Sequence, residues 1–342
     1  MTAAAPDATT APRRVIVFGG GQIGTFTLRS LLAAGHEVVV ADRAPDAAFL
    51  RRYGRHAGPV HSLDICDAPA VAGLMASCGR VDAVILTAGM TGALAAADPA
   101  GARRVALDGT GTVLDAAAAA GIPRAVLVSS LAVYGAPTEA DRAAGSLIES
   151  RAPIDPPTVY GRILADMERM VTSRRHGPES GPDCVLMRIA GVYGPNRFGH
   201  GSHSSVLLER MLYCAAQGFS LTLEGYAEDR DDLVYVKDVG AALARAATCA
   251  DRPDGPINVA TGRVASMAEL IDALGAVFAT VDVRLKPPAR PRPPLQRLPL
   301  DIGRLTGSLG IAPRTIEDSL RDYAREAGFD VAAEAPSAEA TA

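Results

Sequence analysis

The sequence predicts an α/β fold, a doubly wound parallel sheet carrying a smaller C-terminal lobe. Three observations lead there. Short aliphatic and β-branched runs alternate with helical stretches through residue 194. Two of those runs, Val81–Gly89 and Arg124–Ser130, are almost continuously apolar, as parallel strands covered on both faces must be. A glycine-rich turn stands between the first run and the first helix.

Taken in order, Val15–Gly19 (VIVFG) is the first buried strand, followed by a helix from Gln22 to about Ala34. Glu37–Asp42 (EVVVAD) and Pro59–Asp64 (PVHSLD) are the next strands, then Val81–Gly89. An Ala-rich helix from Ala100 to Ala120 ends at Gly121, with Pro123 just beyond, and leads into Arg124–Ser130. Cys184–Gly194 (CVLMRIAGVYG) reads as one further sheet strand. The dinucleotide-binding domain is assigned to 13–194, with 231–262 returning to it, and the smaller lobe to 195–230 and 263–328. Lys286–Pro294 (KPPARPRPP) is an extended connector. Residues 1–12 are expected to be a disordered leader and 329–342 a disordered tail.

Composition excludes several classes of function. The 342 residues are 48% hydrophobic, enough for one large domain or two lobes, and the formal net charge of -4 leaves no basic footprint for nucleic acid. No apolar stretch is long enough to span a membrane. Five cysteines without paired spacing argue against a disulfide framework or zinc site and for a reducing cytoplasm. Lys237 and Lys286 are the only lysines; all other basic side chains are arginines apart from the histidines.

Gly19–Gly24 (GGGQIG) has the strand-before, helix-after setting that gives a glycine motif meaning. Gly19 permits the tight turn, Gly21 lets backbone approach a pyrophosphate, and Gly24 brings helix and sheet together. Gln22 and Ile23 open the helix whose N-terminus would face the phosphates. Asp42, at the end of the second strand, is placed to accept ribose hydroxyls, which favours NAD over NADP. Arg43 beside it is the feature that would accommodate a 2′-phosphate. Asp64 is a candidate adenine contact at the end of the third strand.

With these motifs the chain resembles the extended short-chain dehydrogenase/reductase family of NAD-dependent epimerases and dehydratases, over about residues 14 to 328. The segments that carry the likeness are the glycine loop, LDICD (Leu63–Asp67), LTAG (Leu86–Gly89), DGTGTVLDAA (Asp108–Ala117) and VLVSSLAVYG (Val126–Gly135). Further on come VYGRILADME (Val159–Glu168), MRIAGVYGPN (Met187–Asn196), DDLVYVKDV (Asp231–Val239) and INVATGRVASMAEL (Ile257–Leu270). The resemblance implies a Rossmann-type fold, NAD as cofactor, and a homodimer through the helices near 100–120 and 157–175. It implies further cofactor contacts at Ile65, Thr87, Ala88 and Gly89, with substrate contacts at Tyr134, Asn196 and Arg230. Tyr160 is implied as the acid–base and Ser130 as the hydroxyl holding the same substrate oxygen, on a hydroxylated, sugar-like or natural-product small molecule.

Four departures from the family pattern bear on mechanism. Leu164 stands four residues after Tyr160, on the same helix face, where the family carries a lysine that lowers the phenol's pKa. Ala106 replaces an asparagine of the same proton relay. Phe18 takes the first glycine's place, which shortens the glycine loop. Asp231 stands where the family has a substrate-diphosphate arginine, with Arg230 displaced by one and Arg290 or Arg292 as the other candidate anion ligands. His200 and His203 have a spacing a metal could use, but no acidic or Cys partner is near in sequence, so no metal is assigned. Three readings follow: a redox epimerase, dehydratase or dehydrogenase; a non-redox elimination, cyclisation or isomerisation on the same scaffold; or an inactive dinucleotide-binding protein.

Overall fold

The computed structural model describes residues 11–174, 181–197, 201–251 and 255–331. Twelve strands are described: β1 Arg14–Phe18, β2 Glu37–Asp42, β3 Val60–Ser62, β4 Ala83–Leu86, β5 Arg124–Ser130, β6 Asp183–Ile189, β7 Gly191–Tyr193, β8 Leu221–Glu224, β9 Arg230–Tyr235, β10 Ile257–Val259, β11 Val264–Ser266 and β12 Val283–Lys286. The helices before the midpoint are α1 Gln22–Ala33, α2 Ala47–Gly54, α3 Ala68–Ser77, α4 Gly92–Ala97, α5 Pro99–Arg103, α6 Thr110–Ala119 and α7 Glu139–Ala144. They are followed by α8 Val159–Ser173, α9 His203–Gln217, α10 Val236–Thr248, α11 Met267–Gly275, α12 Gly303–Leu309 and α13 Ile316–Ala327.

Seven parallel strands form the main sheet in the order β10-β6-β5-β4-β1-β2-β3. The chain starts at β1, winds outward to β3, then reverses through β4. That reversal leaves a crevice at the carboxyl ends of β1 and β4, where open α/β sheets place their ligands. Val15, Ile16, Val17 and Phe18 are wholly buried, and so are Ala83, Val84 and Ile85. Helices on both faces account for the unbroken apolar runs.

The second lobe differs from the sequence expectation at two points. Cys184–Gly194 is two strands: β6 ends at Ile189, Ala190 breaks the run, and β7 enters a separate sheet, β11-β9-β7. β9 belongs to that small sheet as well, so of the 231–262 segment only β10 returns to the main sheet as a strand, while α10 packs on α1. Short apolar runs look alike in either sheet; hydrogen-bond partners decide the membership. β8 and β12 form a parallel pair; Lys286, expected to open the connector, closes β12, and residues 287–294 contain no helix.

The helix expected at 100–120 is continuous, but Arg104–Gly109 within it is a π-helical turn. Asp166 of α8 pairs with Arg103 of α5 and with Arg169, and Arg174, the C-cap of α8, pairs with Asp115 of α6 at 2.6 Å. Phe329 packs its ring 6.1 Å from Tyr213 rather than starting a disordered tail. The leader through residue 10 and the tail from residue 332 lie outside the described residues. Among the described residues, no helix is long and apolar enough to cross a membrane.

Candidate active site

The glycine loop is built as its residue types require. Gly19 has φ +111°, and a Cβ there would lie 2.5 Å from Thr87 Oγ1 and 2.6 Å from the Ala88 nitrogen. A Cβ on Gly24 would lie 1.8 Å from the Gly19 carbonyl oxygen. These two glycines let the exits of β1 and β4 touch and α1 pack down on them. Gly21, by contrast, has nothing within 4 Å of where its Cβ would be. It is the N-cap of α1 and offers no side-chain cap, so the first-turn N–H groups, those of Gln22 and Ile23 included, have no side-chain acceptor. An anionic diphosphate fits there on both counts, clearance and donor set.

Asp42 is anchored beside this loop, accepting from the Gly20 nitrogen at 2.7 Å and the Ala44 nitrogen at 2.8 Å. Each carboxylate oxygen keeps capacity for one more donor, such as a ribose hydroxyl. Arg43 is exposed, and its charge reaches Asp64. The Asp64 carboxylate accepts from the Cys66 nitrogen at 2.9 Å and lies 3.6 Å from Arg104. That backbone N–H, foremost, holds the acid below its ordinary range. Ile65 is buried, its side chain against Gly109. Thr87 and Ala88 both donate backbone N–H groups to the Phe18 carbonyl, and the Thr87 hydroxyl donates to the Gly19 carbonyl at 2.9 Å. Thr87, Ala88 and Gly89 then open onto a cavity of about 150 Å³.

Tyr160 lies on the wall of that cavity. It is the second residue of α8, whose start is fixed by Thr158 capping the Gly161 nitrogen at 3.0 Å. Gly161 lets the helix start lie against the chain after β5; a Cβ there would be 2.1 Å from the Ala132 carbonyl oxygen. This close approach brings Tyr160 near Ser130, whose side chain bears on the phenol and itself accepts from the Ala132 nitrogen at 3.2 Å. Burial pushes the phenol above its ordinary pKa, and the Ser130 contact draws it partly back. Among the described residues no cation acts on it. Ala106, on the π-helical turn, faces the same cavity with Ile163, Leu164 and Met167, so hydrocarbon occupies Tyr160's helix face. Lys237, the one lysine considered as a substitute, is bound to Asp322 at 2.6 Å and Glu326 at 2.8 Å, and Lys286 pairs with Glu224. Arg162 donates to the Pro157 carbonyl and is exposed.

Tyr134, an expected substrate contact, lies in the core instead. Its hydroxyl donates to Asn258 at 2.7 Å and accepts from Arg188 at 3.1 Å. Arg188 is paired in turn with Glu168 at 2.7 Å, and Glu168 also accepts from the Ser129 hydroxyl at 2.6 Å. This buried network joins the end of β5, which carries Ser130, to α8, which carries Tyr160. Sequence reading missed it because its members lie 20 or more residues apart. The π-helical turn was missed as well, and no sequence signal specific to it is evident.

Asn196 donates to the Ser205 hydroxyl and accepts from the Arg197 nitrogen, at the foot of α9. Arg230 is exposed at the head of β9, away from the cavity's lining. Arg292 grips Asp229 through two contacts of 2.7 Å, holding that carboxyl far below the ordinary range. Asp231 pairs with Arg297 at 2.6 Å. His203 is exposed at the start of α9, and His200 lies outside the described residues. Among the described residues no three His, Cys, Asp or Glu side chains are grouped to hold a metal.

The model of the NAD dependent epimerase/dehydratase family matches residues 15–260. A UDP-glucose 4-epimerase from Azospirillum brasilense is 29% identical over 324 residues, covering 90% of this chain and 89% of that one. A dTDP-glucose 4,6-dehydratase from Actinoplanes sp. is 27% identical over 319 residues, covering 88% and 93%. Among solved structures, the UDP-glucose 4-epimerase of Thermus thermophilus in complex with NAD superposes with a TM-score of 0.75 at 26% identity, covering 92% of this chain and 98% of that one.

Proposed function

The chain belongs to the NAD dependent epimerase/dehydratase family, and from that premise we propose that it binds NAD and acts on a hydroxyl or carbonyl of a small molecule, with Tyr160 and Ser130 as the acid–base pair. One observation carries this reading: the open N-terminus of α1 and the Tyr160 side chain lie at the same end of the main sheet, joined by a cavity that Ile23, Thr87, Ala88 and Gly89 line with Tyr160. The α1 first-turn amides would hold the diphosphate, Asp42 the ribose hydroxyls, and Asp64 the adenine end. Arg43, exposed beside Asp42, leaves NADP the lesser choice, because a carboxylate at Asp42 repels a 2′-phosphate. When bound, NAD supplies a hydride acceptor, or as NADH a donor.

The chain's own contribution is a proton at the Tyr160 oxygen. An ordinary phenol, with a pKa of ~10, is ionised in only about one molecule in a thousand at neutral pH. Burial here lowers that fraction further, and no ammonium opposes it. Tyr160 is therefore a proton and hydrogen-bond donor at neutral pH, and Ser130 orients it toward a substrate oxygen. This supports carbonyl reduction, or stabilisation of an oxyanion, over deprotonation of an alcohol. The hydrocarbon at Leu164 and Ala106 also favours a second reading, in which a donor phenol drives elimination or isomerisation without net redox change.

The relatives are named for UDP- and dTDP-sugars, which supports a hydroxylated, sugar-like substrate. The committed ion pairs Arg292–Asp229 and Arg297–Asp231 leave those two arginines poorly disposed to bind a substrate diphosphate. The deciding experiment is absorbance and mass analysis of the purified protein for bound NAD, NADH or NADP, with titration of the stripped protein. Failure to bind dinucleotide at millimolar concentration would remove the redox reading. Tyr160→Phe is expected to abolish turnover under either reading; full activity in that variant would take Tyr160 out of the chemistry.

A further inference from the structure

Gln22 does more than open α1. Its side-chain Nε2 donates to the Gly194 carbonyl at 2.8 Å and lies 3.4 Å from the Pro195 carbonyl. The same amide straddles Ser205: Nε2 donates to Oγ at 3.1 Å, and the Ser205 hydroxyl lies 3.3 Å from Oε1. Ser205 is completely buried. One side chain thus joins the glycine loop to a turn and a helix more than 170 residues away.

The far side of this contact is tied together by hydrogen bonds and packing. Ser202 caps the Ser205 nitrogen at 3.2 Å and donates its hydroxyl to the Val192 carbonyl at 3.0 Å, tying the first turn of α9 to β7. Gly194 sits at φ +135°, where a Cβ would come 2.5 Å from Val236 Cγ1, so the turn is pressed against the start of α10. Its carbonyl is held toward Gln22 by that packing. On the near side, the Gln22 backbone N–H is one of the uncapped first-turn donors of α1.

We propose that Gln22 is a positioning residue that couples occupancy of the α1 N-terminus to the order of the 194–196 turn and the first turn of α9. Fixing the Gln22 backbone against an anion leaves its side chain few torsions to vary, and its contacts to Gly194, Pro195 and Ser205 pass that restriction across the crevice. Cofactor binding then orders the neighbouring face of the smaller lobe before any substrate arrives. The inference rests on the α1 N-terminus being the diphosphate site.

Hydrogen exchange of the full-length protein with and without ADP tests it. ADP has the diphosphate and adenosine but nothing that reaches Tyr160, so protection across the crevice cannot come from a nicotinamide. In the wild type, ADP should slow exchange several-fold in the glycine loop and also in residues 192–197 and 202–208. In Gln22→Met, similar in length but without the amide, slowing should persist in the glycine loop and be lost at the two distant segments. Ser205→Ala, a small change on the opposite side, should lose it in the same way. Equal distant protection in both variants, or none in a wild type whose glycine loop is protected, would overturn the coupling alone. Absence of any protection in the wild-type glycine loop would overturn the diphosphate site itself.

Discussion

Placing a cation at residue 164 should convert the Tyr160 phenol from an obligate donor into a group that can also accept a proton. Leu164 is 9% exposed and borders a cavity of about 150 Å³, so a lysine chain has room to extend along the helix toward the phenol. An opposite charge within ~4–6 Å lowers a pKa by roughly 1–3 units, or about 1.4–4 kcal/mol, and raises the phenolate fraction about 10- to 1000-fold. Burial opposes the effect by drawing a proton off the new lysine, so Leu164→Arg is the companion variant, since a guanidinium stays charged. The assay is a near-ultraviolet tyrosinate titration of each variant, with the matching Tyr160→Phe protein subtracted to isolate one phenol among eight tyrosines. The wild-type difference curve should ionise above the ordinary tyrosine range, because burial outweighs the Ser130 contact. The variant curves should shift downward. A wild-type phenol that ionises below the ordinary range, or variant curves that do not move while dinucleotide binding is intact, would refute the account of this site.

Two further outcomes follow from buried charge. Glu168→Ala leaves Arg188, buried and holding only Tyr134 and the Glu149 carbonyl, without its counter-ion; a loss of about 3–5 kcal/mol in urea unfolding is expected, and a loss under ~1 kcal/mol would show that the pair is not buried as described. Asp232, 1% exposed, is pushed up to about 7 by burial and by Asp231. A carboxyl whose folded pKa is raised stabilises the fold while protonated, so its contribution is complete below its unfolded pKa of ~3.9 and is lost as pH rises through about 7. The difference in melting temperature between Asp232→Asn and the wild type should therefore grow in the variant's favour from acidic to alkaline pH, and a constant difference would exclude that titration.

The cofactor half of the candidate site was legible because its requirements are local. A tight turn, a helix start and a strand-end acid lie within Gly19–Asp42, and glycine is the residue type that tolerates the contacts found at Gly19 and Gly24. The doubly wound parallel sheet followed from the alternation of apolar runs with helical stretches. The absence of a lysine one turn after Tyr160 was also legible, because helix spacing alone places residue 164 on the phenol's face.

Tertiary structure decided what depends on distance in space between residues remote in sequence. It placed Lys237 in an ion pair with α13, Tyr134 in a core network and Arg292 on Asp229, each a choice among partners that composition leaves open. It split one apolar run between two sheets at Ala190, because backbone hydrogen bonds distinguish sheets where side-chain pattern does not. It also joined Gln22 to Gly194 and Ser205. The sequence by itself determined that Tyr160 lacks a cation one turn on along its own helix face; only the fold determined that no other segment among the described residues supplies one, since Coulombic help depends on a few ångströms of separation and not on chain order.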